Sequence, residues 1–335
     1  MIQTNLLAWF IRAIQFGTII MFGSLGEILT EKSGNLNLGV PGIMYLGSFA
    51  GFASAYTYEN SAANPSALVC VLLSLTAAFF ASALGGLIYS FLTITLRANQ
   101  NVTGLALTTF GTGVANFFGA MLLKSEGDSV ATRAPISNGA YAAKIPYLSD
   151  HTGIVGEALF SFGFLVYLAI LCAVAMHFFL NKTRVGLNLR AVGENPATAD
   201  AAGIDVTKYK YLATVIGAGL SGIGGLYYVL DYKNGIWATS DQVAALGWLA
   251  VALVIFTTWR PLNAIWGAYL FGFLYWLYNF LPKLIGLTNV DRTSDLFQMV
   301  PYLMTIVVLV AVSLRRKRES QPPASLGLSY FREER

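Results

Sequence analysis

Long apolar runs separated by short polar joints make up most of the chain. The runs lie at about residues 6–28, 37–58, 66–96, 103–122, 155–180, 211–230, 242–258, 262–285 and 296–314. A helix of about 20 mostly apolar residues crosses the hydrocarbon core of a bilayer. The pattern therefore predicts an all-α, polytopic membrane bundle of about nine transmembrane helices, within a range of about eight to ten.

The placement of lysine and arginine orients this predicted bundle. The basic residues gather in the joint 181–210 and directly after the last apolar run. They are Lys182, Arg184, Arg190, Lys208 and Lys210, and Arg315, Arg316, Lys317 and Arg318. Four predicted crossings separate the two groups, so both face the same side, and an excess of Lys and Arg marks the cytoplasm. We predict a transmembrane domain over residues 1–314 and a cytoplasmic tail over 315–335.

Composition supports the membrane interpretation and narrows the functions. The chain is 56% hydrophobic and 11% charged, whereas soluble domains carry about 25% charged residues. No basic, aromatic-interleaved stripe indicates a nucleic-acid partner, so the expected surroundings are lipid. Cys70 and Cys172 lie in separate apolar runs, and His151 and His177 stand apart. We therefore predict no metal site.

The polar stretch 189–205, LRAVGENPATADAAGID, predicts a short helix with sharp ends. Asn195 suits the N-cap, Pro196 the first helical position, and Gly203 the left-handed position after the helix. Residues 196–202 would form two turns, which are not stable alone in water. The helix therefore needs a surface, either on its own protein as a connector or on a cytoplasmic partner.

Several stretches of the chain resemble one family. Gly186–Val206, which contains the predicted helix, resembles the coupling loop of bacterial ABC importer permeases of the branched-chain amino acid, ribose and nucleoside group. Ser24–Ser48, SLGEILTEKSGNLNLGVPGIMYLGS, resembles that family's N-terminal signature in its nucleoside-type form. Three further stretches are similar to the shorter of the two paired nucleoside permeases: Leu96–Gly119, Phe297–Val310 and the tail PPASLGLSYFREE.

The resemblance implies a type II-like permease of the bacterial inner membrane without catalysis of its own. It implies a second, related permease, ABC ATPase subunits that hold ATP and Mg²⁺, and an extracytoplasmic solute-binding (lipo)protein that delivers nucleosides. The implied ATPase-coupling residues are Gly193, Glu194, Asn195, Pro196, Ala199, Ala202 and Gly203. The chain has no Gly-Lys dipeptide, and therefore no P-loop to hold ATP. We expect no cofactor bound directly to it.

Amide and hydroxyl side chains are the candidates for the solute pathway. Glycines and a proline interrupt any helix over Thr30–Gly42, where Asn35 and Asn37 lie. Amides can hydrogen-bond a base edge or ribose hydroxyls, and an ordinary turn is the alternative. The next candidate stretch, Arg97–Gly104, carries the amides Asn99, Gln100 and Asn101, and Asn101 is either a pathway residue or a helix cap at an inner turn.

A polar stripe and a small-residue stripe each mark one helix face. Thr108, Thr112 and Asn116 are four residues apart and share a face, which would line the pathway or bond another helix. Gly217, Ser221 and Gly225 have the spacing that allows close helix packing. We expect Glu27 and Glu31 to be solvated at the headgroup level or paired with Lys32.

Other transport functions remain open at this point. The same machinery would serve riboflavin-like flavins or ribose-like sugars. An ion-coupled secondary transporter is an alternative of another class, and it would need carboxylates within the membrane. Such acids are scarce inside the apolar runs.

Overall fold

The computed structural model describes residues 2–125, 131–144, 153–238, 242–285 and 321–331, and the single residues 299, 303, 306, 307 and 310. Its helices are α1 (Ile2–Glu31), α2 (Val40–Ser61), α3 (Ala67–Ser90), α4 (Gln100–Ser125), α5 (Pro135–Tyr141), α6 (Gly153–Phe160), α7 (Phe164–Lys182), α8 (Arg184–Glu194), α9 (Pro196–Ala201), α10 (Val206–Tyr227), α11 (Gln242–Phe256) and α12 (Pro261–Ile285). Single π-helical turns, Phe91–Thr95 and Tyr228–Tyr232, continue α3 and α10.

Five helices in the described part of the chain are long and apolar enough to cross a membrane. They span Leu6–Glu31, Ala67–Thr95, Gln100–Lys124, Phe164–Lys182 and Val206–Tyr232. Each overlaps a predicted apolar run, which agrees with a helical, multi-pass membrane protein. The predicted count of nine is not confirmed by these helices, and the predicted crossing 296–314 lies outside the described residues apart from isolated positions.

Two local features differ from the prediction. The apolar run 155–180 is divided, because α6 ends at Phe160 and α7 begins only at Phe164. Two short strands, β1 (Ala131–Arg133) and β2 (Ile236–Ala238), pair antiparallel with Ala131 opposite Ala238. Strands of three residues show too little alternation for a sequence pattern to reveal them.

Helices α1 and α10 form the centre of the bundle. Helix α10 packs against α1, α2 and α3, and α1 also packs against α11 and α12. The small-residue stripe of α10 lies in these contacts. A Cβ atom on Gly217 would meet the Gly26 carbonyl, Ser221 Oγ donates to the Gly23 carbonyl at 3.2 Å, and Gly225 lies against the Met44 carbonyl. Small side chains at these positions let three helix backbones approach closely.

The two ends of the bundle are built differently. One end, the β end, holds the strand pair and α5, where Glu59 of α2 accepts from the amides of Ile136 at 3.2 Å and Ser137 at 2.6 Å. The opposite end, the α8–α9 end, holds the turn 32–39, the joint 257–260, the helices α8 and α9 and the segment 321–331. This end carries the sequence-predicted coupling residues.

Candidate functional site

Side-chain caps divide the polar joint 183–205 into short helices. Asn195 ends α8 and starts α9, since its Oδ1 accepts from the Thr198 amide at 3.0 Å. Gly203 follows α9 with φ +81°. Asp205 then caps α10, with Oδ1 accepting from the Lys208 amide at 3.0 Å. The predicted helix over 196–202 is confirmed, with both predicted end residues in their places and its last residue one position earlier.

Helix α9 has one buried and one exposed side. Ala199 is 3% exposed and packs with Val192 and Val206. The exposed residues are Glu194 and Asn195 before α9 and Ala202 and Gly203 after it. Pro196 is half-buried. The connector and the partner-docking alternatives therefore describe different sides of the same helix. Whether the exposed side meets an ATPase stays a prediction.

Gly193 is buried beneath this pair of helices. A Cβ atom there would collide with the carbonyl oxygen of Lys32, so α8 lies directly on the turn 32–39. The Gly193 carbonyl accepts from both the amide and the hydroxyl of Ser325, at 3.0 and 2.6 Å. Any side chain at position 193 would separate α8 from the turn.

The expected solvation of Glu27 and Glu31 is wrong, because each is only 1% exposed. The turn 32–39 folds back over the end of α1, so that the Asn37 amide donates to Glu27 Oε1 at 2.9 Å. The indole N–H of Trp259 donates to Glu31 Oε2. Each carboxyl group therefore has a hydrogen-bond partner, as buried polar groups in proteins usually do. They hold the turn 32–39 and the joint 257–260 against α1.

The structure separates the two asparagines of the turn. Asn37 is engaged locally, since its Oδ1 accepts from the Gly39 amide at 2.9 Å. The Asn35 side chain donates to Thr214 Oγ1 of α10 at 3.1 Å and lines a polar cavity of about 500 Å³. A pathway role stays a prediction for both residues, and Asn35 is the one that faces open space.

This cavity lies between the turn, α10 and the segment 321–331. Lys210 of α10 is on its wall and is 3% exposed. Among the residues that the structure describes, none hydrogen-bonds or pairs with the Lys210 ammonium. Arg97, Asp200 and Asp205 also line the cavity, so charges of both signs surround it.

The polar stripe of α4 faces its neighbours. Thr108 Oγ1 donates to the Leu38 carbonyl at 2.8 Å, and Asn116 Oδ1 accepts from the Tyr45 hydroxyl at 2.6 Å. Thr112 bonds within its own helix, to the Thr108 carbonyl at 2.5 Å. Asn101 is exposed. The hydrogen bonds of Thr108 and Asn116 join segments, and pathway lining stays a prediction for all four residues.

A basic groove lies beside α8 at the same end. Lys32, Arg190 and Arg260 line it, with Asn181 and His177. Burial, together with the positive charge of Arg190, lowers the pKa of Lys32 to about 8, while the negative charge of Glu194 opposes the shift. Groups of three His, Cys, Asp or Glu side chains that could hold a metal are absent from the described ranges.

The sequence did not reveal the roles of Ser325 and Trp259 at this end, nor the partner of Gln100. Gln100 Oε1 accepts from the Leu36 amide at 2.7 Å, so it joins the start of α4 to the turn 32–39. Trp259 lies in a short joint between apolar runs, where a large aromatic side chain indicates a buried contact with another segment. Nothing in the local pattern around Ser325 indicates its partner.

Comparison with known proteins identifies the class. Residues 10–309 match the family described as branched-chain amino acid transport system / permease component. The chain belongs to this permease family. The permease is 32% identical to the guanosine ABC transporter permease protein of Bacillus subtilis over 94% of each chain. It is 32% identical to a putative glucose ABC transporter permease protein of Haloferax volcanii over 96% of each chain. No solved structure matches it.

Proposed function

We propose that the permease forms half of the translocation pathway of an ATP-driven ABC importer for nucleosides. The observation that carries the proposal is the capped pair α8–α9, with Ala199 buried and Asn195 and Ala202 exposed, in a chain of this permease family. The pair is a rigid projection that an ABC ATPase subunit would contact. ATP hydrolysis would occur on that subunit, and the permease itself would be non-catalytic.

The topology that we propose has nine crossings. The crossings are α1, α2, α3, α4, α7, α10, α11, α12 and the run 296–314. Helix α2, with 22 residues, is about 33 Å long at 1.5 Å per residue, enough to span the core. The α8–α9 end would face the cytoplasm of a bacterial cell, as the basic residues there favour.

The proposed coupling runs through two contacts. A push on α9 would reach α10 through Ala199 and Val206, because α10 begins directly after the Asp205 cap. A push on α8 would reach α1 through Gly193 and the turn 32–39. These two central helices touch at Gly217. A joint movement of α1 and α10 would switch the solute pathway between outward-facing and inward-facing states. The energy would come from the different contacts made in each state.

Nucleosides are the proposed cargo, delivered by an extracytoplasmic binding protein. Relatives that carry nucleoside names support this choice, including a nucleoside ABC transporter permease protein of Lactococcus lactis that is 28% identical over 88% of each chain. A second nucleoside permease of the same organism matches over 107 residues at 29% identity. The two together support a heterodimer with a related permease. The exposed aromatic side chains of α4 leave surface for such a partner or for lipid.

The test uses the reconstituted complex with matched variants. Ala202 and Ala142 are both exposed, at opposite ends of the bundle. Ala202→Arg should abolish co-purification of the ATPase and ATP-driven guanosine uptake, and Ala142→Arg should leave both intact. In the same vesicles, unlabelled nucleosides should compete with guanosine uptake, and glucose, ribose and riboflavin should not. Uptake driven by an ion gradient without ATP would contradict the proposal.

A further inference from the structure

The C-terminal segment 321–331 lies across the α8–α9 end, and we infer that it is a strap that stiffens the ATPase-docking pair by fixing α8 and α9 to the turn 32–39, so that ATPase motion is passed on to the bundle. The inference rests on the proposed function and adds to it a third structural part. The partner is the ABC ATPase subunit. The strap is held by contacts to α8, to α9 and to the start of α4.

The contact to α8 fills a narrow gap. Ser325 is 6% exposed and donates two hydrogen bonds to the Gly193 carbonyl. On the other side of the gap, the Gly327 amide donates to the Gly34 carbonyl at 3.2 Å. Gly34 has φ +89°, and a Cβ atom there would lie 2.6 Å from Ser325 Oγ. The strap therefore joins the end of α8 to the turn through backbone that admits no added side chain.

The contact to α9 is made by one aromatic residue. The Tyr330 hydroxyl donates to Asp200 Oδ2 at 2.8 Å. Its ring packs against the small cluster of Val192, Ala199 and Val206. The strap thus touches the same buried side of α9 through which a push would reach α10.

The third contact is at the start of α4. Gln100 Nε2 donates to the Leu328 carbonyl at 3.4 Å, while its Oε1 accepts from the turn at Leu36. The Arg97 guanidinium lies 4.6 Å from the centre of the Phe331 ring, a cation–π distance. Gln100 therefore bonds the turn and the strap at once.

Stiffness is what these contacts supply. Helices of six and eleven residues have little stability of their own in water. Each hydrogen bond of the strap contributes only about 0.5–1.5 kcal/mol, but together they connect four segments. A docking helix that yields under load would absorb the ATPase motion without passing it to α1 and α10. The strap makes the pair a fixed part of the bundle.

The experiment measures the coupling ratio, guanosine imported per ATP hydrolysed, in proteoliposomes of the full complex. Deletion of residues 321–335 should lower the ratio about tenfold, while the ATPase still co-purifies and hydrolyses ATP. Ser325→Ala and Tyr330→Phe should each lower it about two- to fivefold. Ser329→Ala is the matched control, since no described hydrogen bond uses its side chain, and it should behave as wild type.

A second arm isolates the Tyr330–Asp200 bond and keeps the test decisive if the deletion fails to insert. Combining Asp200→Asn with Tyr330→Phe should lower the ratio by less than the product of the two single effects, because both changes remove the same bond. Wild-type ratios for both point variants would overturn the inference. If Ala202→Arg loses ATPase co-purification and guanosine uptake while the strap variants keep wild-type ratios, the strap inference is wrong and the proposed function stands. If Ala202→Arg also has no effect on ATPase co-purification or uptake, both the strap inference and the proposed function are wrong.

Discussion

Helices α10 and α4 have nearly the same mean hydropathy, 1.5 and 1.4, yet 72% of the most apolar part of α10 is buried and 22% of that of α4. Side-chain size explains the difference. Gly217, Ser221 and Gly225 let α10 lie between α1 and α2, while α4 presents exposed Phe110 and Phe117. Hydropathy indicates that a helix crosses the membrane, and the distribution of small residues decides where in the bundle it lies.

The same difference separates their proposed functions. Helix α10 begins at Val206, which packs against Ala199 of α9, so a displaced α9 would displace it. Helix α4 meets that end at the turn 32–39, through Gln100 and Thr108, and at the strap, and it has no direct chain connection to the coupling pair. We therefore assign the moving centre to α10 with α1, and a peripheral position to α4. The following changes test this contrast, from the largest expected effect to the smallest.

A methyl group at a glycine should have opposite effects on the two helices. Gly217→Ala places a Cβ atom against the Gly26 carbonyl, and overpacking of this kind costs about 1–3 kcal/mol. Nothing lies within 4 Å of the Cβ position at Gly113 of α4, so Gly113→Ala should raise stability by about 0.5–1 kcal/mol. Thermal unfolding in detergent measures both. Equal effects would show that α10 is not the tightly packed helix.

The buried ammonium of Lys210 should cost α10 stability. It is 3% exposed and lacks an ionic partner in the described part of the chain, so Lys210→Met should raise the free energy of unfolding by about 1–2 kcal/mol. Lys208, two positions away, is exposed, and Lys208→Met should change it by less than about 0.5 kcal/mol. The same unfolding assay reports both. A destabilised Lys210→Met would mean that the ammonium has a partner outside the described residues.

A hydroxyl on α4 should matter only where it faces another segment. Thr108→Val removes the bond to the Leu38 carbonyl, and hydrogen bonds between membrane segments average about 0.6 kcal/mol. Thr109 is exposed and bonds its own helix, so Thr109→Val should be nearly neutral. Guanosine uptake by Thr108→Val tests the other interpretation of Thr108, as a residue that lines the solute pathway. Lost transport at unchanged stability would place it in the solute pathway.

Local signals in the sequence predicted the short-range features well. Asn195, Pro196 and Gly203 act within three or four residues of themselves, so the ends of α9 followed from the pattern. The apolar runs likewise located the five long helices, because each run needs only its own residues to form a helix.

Contacts between distant residues were beyond such reasoning. Trp259 and Glu31 are 228 positions apart, and Ser325 and Gly193 are 132 apart. Glu31 is covered by the distant Trp259, and Glu27 by a turn whose fold-back over α1 the local pattern does not reveal, which is why their expected solvation was wrong. The strap could not be foreseen for the same reason, since its bonds join residues more than 100 positions apart, whose positions only the fold defines.

The central claim is that the α8–α9 end meets an ATPase, and site-directed cross-linking tests it most directly. In a background with Cys70→Ser and Cys172→Ala, cysteine is introduced by Ala202→Cys or Ala142→Cys, labelled with a maleimide–benzophenone reagent, and irradiated in the assembled complex, so that the photoactivated ketone inserts into a C–H bond of whatever protein lies beside it. We predict a cross-link to the ATPase subunit from position 202, with a yield that changes on ATP binding, and none from position 142. A cross-link from position 142, or none from position 202 in a complex that transports, would contradict the account.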